Sequence, residues 1–225
     1  MGGSPRQRTL RLAHRGDHRR ALENTLPALI AAVAVPGCDG LEFDVRLARD
    51  RVPVLLHDET LQRVHGRPDR VDALTADELG TFGIPTLRAV LAGVPRAAFL
   101  DIELKVDVGP RVAEALRGGR GPSLENAVVS SFEPAALQTI RALEPTWPCW
   151  LNTTDLAPST IALAGRLACR GISVEWHAID EHGLGRARDA GLEVAAWTVT
   201  RPAVFDRLAG LGVVAICVEG GALEG

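Results

Sequence analysis

A chain of 225 residues, 46% hydrophobic and 24% charged, can bury the core of one large domain or two small ones. That composition excludes disorder, collagen and coiled coil, and a formal charge of −3 argues against a nucleic-acid partner. No apolar run reaches the roughly 18–20 residues of a membrane span, so no membrane insertion is expected; the basic opening MGGSPRQR lacks the apolar stretch of a secretion leader.

The predicted elements alternate along the whole chain. A strand over 9–14 (TLRLAH) precedes a helix over 25–35, and a second strand covers 40–45 (GLEFDV). A helix over 86–91 leads to a third strand at 99–104 (FLDIEL), then a helix over 109–116. Strands at 127–132 (AVVSSF), 149–152 (CWLN), 171–176 (GISVEW), 192–199 and 213–219 follow. They are separated by helices over 134–143, 159–169, 182–190 and 203–211. Near-continuous apolar strands alternating with helices indicate a parallel sheet covered by helices. Eight such strands in a chain of this length predict a (β/α)8 TIM barrel, at the compact end of its size range. The rival, an open doubly wound sheet, lacks a Gly-rich loop after its first strand.

One run does not fit the count. VPVLLH (52–57) follows the second strand after only RLARDR. A parallel crossover needs about a dozen residues or more, so this run returns antiparallel, as a hairpin. The hairpin carries His57 and Asp58 to the C-terminal mouth. The polar stretch that follows, with a short helix signal at TADEL (75–79), reads as a small insertion at about 58–85. The chain is thus read as a single domain over residues 1–225.

In this fold the working residues sit at the C-terminal strand ends. The first strand ends in His14-Arg15-Gly16; the second carries Glu42 and Asp44; the third carries Asp101, Glu103 and Lys105; the seventh ends in Trp197-Thr198. Residues two apart share one side of a strand, so these carboxylates point inward and Leu41, Phe43 and Val45 face the helices. Inward carboxylates are costly unless a cation offsets their desolvation. Glu42, Asp44 and Glu103 offer oxygen only, which suits one divalent ion, Mg²⁺ or Ca²⁺, better than Zn²⁺. With that ion, Arg15 and Lys105 turn the cluster net positive, fit for a singly charged anion such as a phosphodiester. Without it the cluster is negative and repels the same anion. Lys105 is the only lysine in a chain otherwise supplied with arginine. The four cysteines, Cys38, Cys149, Cys169 and Cys217, show no C-x-x-C pairing and read as free thiols of a reducing, cytoplasmic setting. Glu175 and His177, after the sixth strand, read either as exposed loop polarity or as further substrate contacts.

At these residues the sequence resembles the glycerophosphodiester phosphodiesterase family. AHRG (13–16), LENT (22–25), GLEFDVRLARDRVPVLLHDETLQR (40–63), IPTLRAVL (84–91), DIELK (101–105), VVSSFEPAAL (128–137) and AAWTV (195–199) match its motifs in order. The resemblance implies a metal-dependent barrel hydrolase that releases sn-glycerol 3-phosphate and an alcohol from a small-molecule glycerophosphodiester. It implies Glu42, Asp44 and Glu103 as metal ligands, His14 and His57 as general base and acid, and Arg15 and Lys105 on the phosphate, with Trp197 among the substrate contacts. The sequence departs from the pattern at Leu22, where Pro is usual, and at Val64-His65 and Thr200. CVEGG (217–221) stands where T-D-x-P is common, so the rim after the last strand differs. Three alternatives remain: a Schiff-base aldolase using Lys105, a barrel that only binds phosphorylated ligands, and a lysophospholipase D. Acidic neighbours that hold Lys105 protonated weigh against the aldolase. Retention of both histidines and all three carboxylates weighs against the non-catalytic barrel. An insertion with no conspicuous apolar lid favours soluble substrates over lipids.

Overall fold

The computed structural model describes residues 8–224; the opening segment read for a leader, residues 1–7, and the last residue lie outside the described residues. The strands are β1 (Leu10–His14), β2 (Gly40–Leu47), β3 (Pro53–Leu55), β4 (Phe99–Leu104), β5 (Ala127–Ser131), β6 (Cys149–Thr153), β7 (Gly171–Glu175), β8 (Glu193–Val199) and β9 (Ala215–Val218). All except β3 pair in parallel, in the order β1-β2-β4-β5-β6-β7-β8-β9, and β9 closes back on β1. The expected (β/α)8 barrel is therefore the observed fold. Its helices begin with α1 (Leu26–Val33), then the short α2 (Gln62–His65) and α3 (Ala76–Gly80) between β3 and α4 (Leu87–Gly93). They continue with α5 (Gly109–Arg120), α6 (Pro134–Leu143), α7 (Pro158–Arg166), α8 (Glu181–Asp189), α9 (Pro202–Gly210) and α10 (Gly221–Glu224).

Local chemistry sets the helix starts. The Thr25 hydroxyl accepts from Ala28 N to cap α1, and Thr86 caps α4 in the same way. Thr75 and Glu78 form a reciprocal capping box on α3. Proline stands in the first turn of α5, α6, α7 and α9, where its missing N–H leaves no helical bond unmade. Among the expected helices, two depart furthest from their expected ends. α5 runs on to Arg120, and α7 stops at Arg166, with Ala168 in the left-handed region at φ 51°. Arg120 belongs to the core, where its guanidinium donates to the carbonyls of Arg96 and Ala98 at 2.9 Å. The two glycines of RGGR (117–120) read as a helix end in sequence.

The strands alternate as the pattern requires. Leu41, Phe43 and Val45 face outward into the main core with Leu29, Leu87 and Ile102. Inside the barrel, Leu12, Val128, Trp150, Ala195, Ala215 and Cys217 form an apolar layer. Gly40 permits the β2–β4 approach, since a Cβ there would lie 2.1 Å from Phe99 O. β2 runs two residues beyond its last pairing with β4, and β3 folds back on that overhang, Arg46 opposite Val54 and Leu47 opposite Pro53. The insertion packs on the hairpin through a small core of its own, with Leu61, Val71 and Leu79 against Val54 and Leu56.

Candidate active site

The apolar layer inside the barrel gives way, one strand step higher, to polar side chains. Glu42, Asp44, Asp101 and Glu103 are all buried, and so are Ser130, Asn152 and Ser173. Of these, Glu42, Asp101, Glu103, Asn152 and Ser173 line a cavity of about 260 Å³ at the C-terminal mouth, together with His14, Arg15, His57, Lys105, Phe132, Trp197, Thr198 and Cys217. The hairpin delivers His57 to this rim as expected, and Arg46 Nε donates to the His57 carbonyl at 2.8 Å to hold it there. A larger cavity, of about 790 Å³, opens at the other end of the barrel, around Phe99, Trp150 and Glu193. It holds none of the residues singled out from the sequence.

Ligand oxygens of Glu42, Asp44 and Glu103 lie within 4.8 Å of one another. Among the described residues, both Glu42 oxygens and Asp44 Oδ1 are buried without a hydrogen-bond partner. Burial, then repulsion from Asp44, Glu103 and Asp101, pushes the Glu42 carboxyl well above its usual range. Burial and Asp44 raise Glu103 against the opposing pull of Lys105. Burial also lifts Asp101 to about 7, although Ser130 Oγ donates to its Oδ1 at 2.6 Å. Orphaned, mutually repelling oxygens converging on one point fit a hard divalent cation, which would supply the missing partner for each.

The cations stand beside this cluster. Lys105 Nζ is 2.5 Å from Glu103 Oε1 and 3.5 Å from Asp44 Oδ1. Arg15 Nε lies 3.0 Å from Asp44 Oδ2, and its NH1 donates to Glu23 Oε1 at 3.0 Å. The sharp turn after β1 places it: Arg15 has φ 57° and Gly16 φ 87°, and a Cβ on Gly16 would come within 2.6 Å of the Ala28 backbone.

Each histidine is held by a carboxylate through Nδ1. His57 Nδ1 is 2.6 Å from Asp58 Oδ1, and His14 Nδ1 is hydrogen-bonded to Glu219 Oε1. This leaves Nε2 of both rings for other work; that of His14 lies 3.7 Å from Glu42 Oε2. Burial lowers the His57 pKa, helped by Arg15 and Lys105 and opposed by Asp44 and Asp58. The His14 contact draws Glu219 down. Trp197 Nε1 donates to Ser173 O at 3.1 Å, so Trp197 presents its ring to the cavity, edge-on to Phe132. Glu175 and His177 bond each other at 2.6 Å and do not line the cavity.

Sequence reasoning missed several of these residues. Asn24 Nδ2 donates to Asp44 Oδ2 at 2.8 Å, and its Oδ1 accepts from Asp44 N, fixing the carboxylate. Glu23 joins Arg15 to Arg63, and Arg63 Nε donates to Asp58 Oδ2 at 2.6 Å. An ionic chain thus runs from His57 through Asp58, Arg63, Glu23 and Arg15 to Asp44. Each member lies inside a matched motif, so the signal was present; only their adjacency was hidden. Glu219 lies in the segment that departs from the pattern, and Asn152 carried no signal.

A closed barrel with an acidic triad, two cations and two carboxylate-held histidines at its mouth defines an enzyme of phosphate ester chemistry. Comparison with known proteins gives the class its family. The model of the glycerophosphoryl diester phosphodiesterase family matches residues 14–220. A glycerophosphodiester phosphodiesterase of Caldanaerobacter subterraneus subsp. tengcongensis is 28% identical over 94% of this chain and 94% of its own. An Oleispira antarctica phosphodiesterase solved with the product sn-glycerol-3-phosphate superposes with TM-score 0.83 at 25% identity, covering 94% of this chain and 93% of the other. A glycerophosphodiester phosphodiesterase of Agrobacterium tumefaciens gives TM-score 0.83 at 27% identity, covering 96% and 98%. The chain belongs to the glycerophosphoryl diester phosphodiesterase family, and by that membership it is a phosphoric diester hydrolase.

Proposed function

We propose that this chain hydrolyses small glycerophosphodiesters to sn-glycerol 3-phosphate and an alcohol, using one divalent metal ion and the pair His14 and His57. The observation that carries the reading is the buried triad of Glu42, Asp44 and Glu103 with its orphaned oxygens, set beside Arg15 and Lys105. The all-oxygen donor set favours Mg²⁺ or Ca²⁺. When bound, such an ion offsets charge building on the phosphoryl oxygens.

This chain's own residues supply the rest. Arg15 and Lys105 hold the phosphodiester anion and stabilise the extra charge of the transition state. The glycerol C-2 hydroxyl attacks phosphorus in line with the departing alcohol. His14 Nε2 takes the attacking proton, and His57 Nε2 gives a proton to the leaving oxygen. An alkoxide is a poor leaving group near neutral pH, so this proton is required. Water then opens the cyclic phosphate, with the histidines exchanging roles. Glu219 and Asp58 keep the rings oriented through both halves, and Trp197 forms the wall along which the substrate lies. In this reading the chain works as a single domain over residues 1–225, with the insertion at 58–85 supplying Arg63. A cytoplasmic setting is part of the proposal, supported by four free cysteines. Among the described residues no helix is long and apolar enough to cross a membrane.

The test is a panel of glycerophosphodiesters with coupled detection of sn-glycerol 3-phosphate, run beside a lysophospholipid. Release of sn-glycerol 3-phosphate supports the reading. No product from any diester, or turnover of the lysophospholipid alone, overturns it.

A further inference from the structure

Opposite the acidic cluster the cavity wall changes character. Asn152 on β6 and Ser173 on β7 are register partners, so both side chains stand on the inner side of the barrel. Both line the catalytic cavity, and both are more than nine-tenths buried, at 7% and 2% exposure. Neither is charged. Asn152 is the odd one: its Oδ1 has no hydrogen-bond partner among the described residues. Its neighbours fix which way the amide faces. Ser130 Oγ gives its proton to Asp101 Oδ1, leaving only lone pairs for Asn152, whose Nδ2 approaches it at 3.5 Å. The amide oxygen is left over. A buried acceptor in that state is costly unless a donor arrives from elsewhere.

The cavity indicates what arrives. At about 260 Å³ it falls below the roughly 300–1,000 Å³ of sites for drug-sized ligands, so it encloses only a small group. Given the proposed function, the phosphoryl end lies with Arg15, Lys105 and the carboxylates of β1, β2 and β4. In its proposed acid role His57 stands beside the leaving alcohol, which therefore lies toward the β2–β3 hairpin. Asn152, on β6 three strands round the barrel from β2, faces the glycerol half. In that half the C-2 hydroxyl is committed to attack, and the C-1 hydroxyl is the donor left to spare.

We propose that Asn152 is a specificity-determining residue. Its Oδ1 accepts a hydrogen bond from the C-1 hydroxyl of the glycerol moiety, and this selects fully deacylated glycerophosphodiesters over 1-acyl lysophospholipids. In the acylated compound that oxygen is an ester and has no proton to give. The inference rests on the proposed function and adds the residue that sets its preference.

The test compares kcat/KM on glycerophosphocholine, its analogue lacking the C-1 hydroxyl, and 1-acyl-glycerophosphocholine, for wild type and Asn152→Ala, with melting temperatures recorded. A site built around a substrate hydroxyl rejects the analogue lacking it, so wild type should prefer glycerophosphocholine over the deoxy analogue by roughly 10- to 100-fold. Asn152→Ala should lose that preference through a fall on glycerophosphocholine alone, and should narrow the gap to the acylated compound. Equal wild-type rates on the diol and deoxy substrates overturn the inference, and so does an Asn152→Ala loss equal on both. If Asn152→Ala does not fold, the wild-type ratio decides. Turnover of glycerophosphocholine without discrimination overturns this inference alone; no turnover of any glycerophosphodiester overturns the proposed function with it.

Discussion

His57 sits under opposing influences. Burial, Arg15 and Lys105 favour its neutral ring, while Asp44 and Asp58 favour the charged one, and the first group prevails. A lowered pKa makes the imidazolium a stronger acid and confines it to lower pH. In the proposed acid role, activity therefore falls as pH rises through that pKa. Asp58→Asn removes one contact that raises it, so the falling limb of the kcat profile should move to lower pH. His14→Ala and His57→Ala should each lower kcat by roughly 10²- to 10⁴-fold. With p-nitrophenol as leaving group the His57→Ala loss should shrink, because that alcohol departs without a proton; equal losses for good and poor leaving groups would remove His57 from the acid role. Lys105 gives a second contrast at this scale. Its compact ammonium fits between Glu103 and Asp44, where a planar guanidinium is wider and presents its donors in a fixed fork. Lys105→Arg should keep partial activity, and Lys105→Ala should lose roughly 2–4 kcal/mol of transition-state stabilisation. Equal inactivity of the two variants, with a borohydride-reducible adduct on Lys105, would indicate Schiff-base chemistry instead.

The element that joins the insertion to the barrel is the ionic chain through Arg63. α2 is a single turn with no buried residue, so packing holds it weakly and charge holds it in place. Burial works against the Glu23 carboxylate, yet Arg63 and Arg15 bring it down to about 2; Arg63 and His57 do the same for Asp58, also to about 2. A folded-state pKa below the unfolded one means stability present above about pH 4.5 and lost as pH falls toward 2. The melting temperature should drop across that window, and Arg63→Ala should flatten the drop. A slope unchanged in Arg63→Ala would show that the chain contributes nothing to the fold. The β2–β3 hairpin was legible in the sequence because six residues cannot make a parallel crossover. α2 was not, since QRVH carries no apolar period and takes its shape from Gly66 at φ 68° and from Arg63's partners.

Across the whole molecule, barrel closure does what no local spacing reveals. Pairing of β9 with β1 brings Glu219 against His14 across 205 residues of sequence. The inward carboxylates were legible because strand period and strand-end position both pointed to them. Asn152 was not, because CWLN reads as an apolar strand and its last residue gains meaning only from the opposite wall. Closure also concentrates negative charge: Glu42 and Glu103 titrate above their usual range, and Asp101 at about 7. Raised folded-state pKa values mean that the metal-free protein loses stability as pH rises from about 4. Glu42→Gln should therefore melt higher than wild type at pH 8 without metal, by a margin that shrinks toward pH 4, and calorimetry should show its metal-induced shift abolished. Turnover of a glycerophosphodiester by rigorously metal-stripped protein, before and after adding back a divalent ion, tests the central claim most directly. The account predicts no release of sn-glycerol 3-phosphate from the stripped protein and recovery with Mg²⁺ or Ca²⁺; full activity without metal would contradict it.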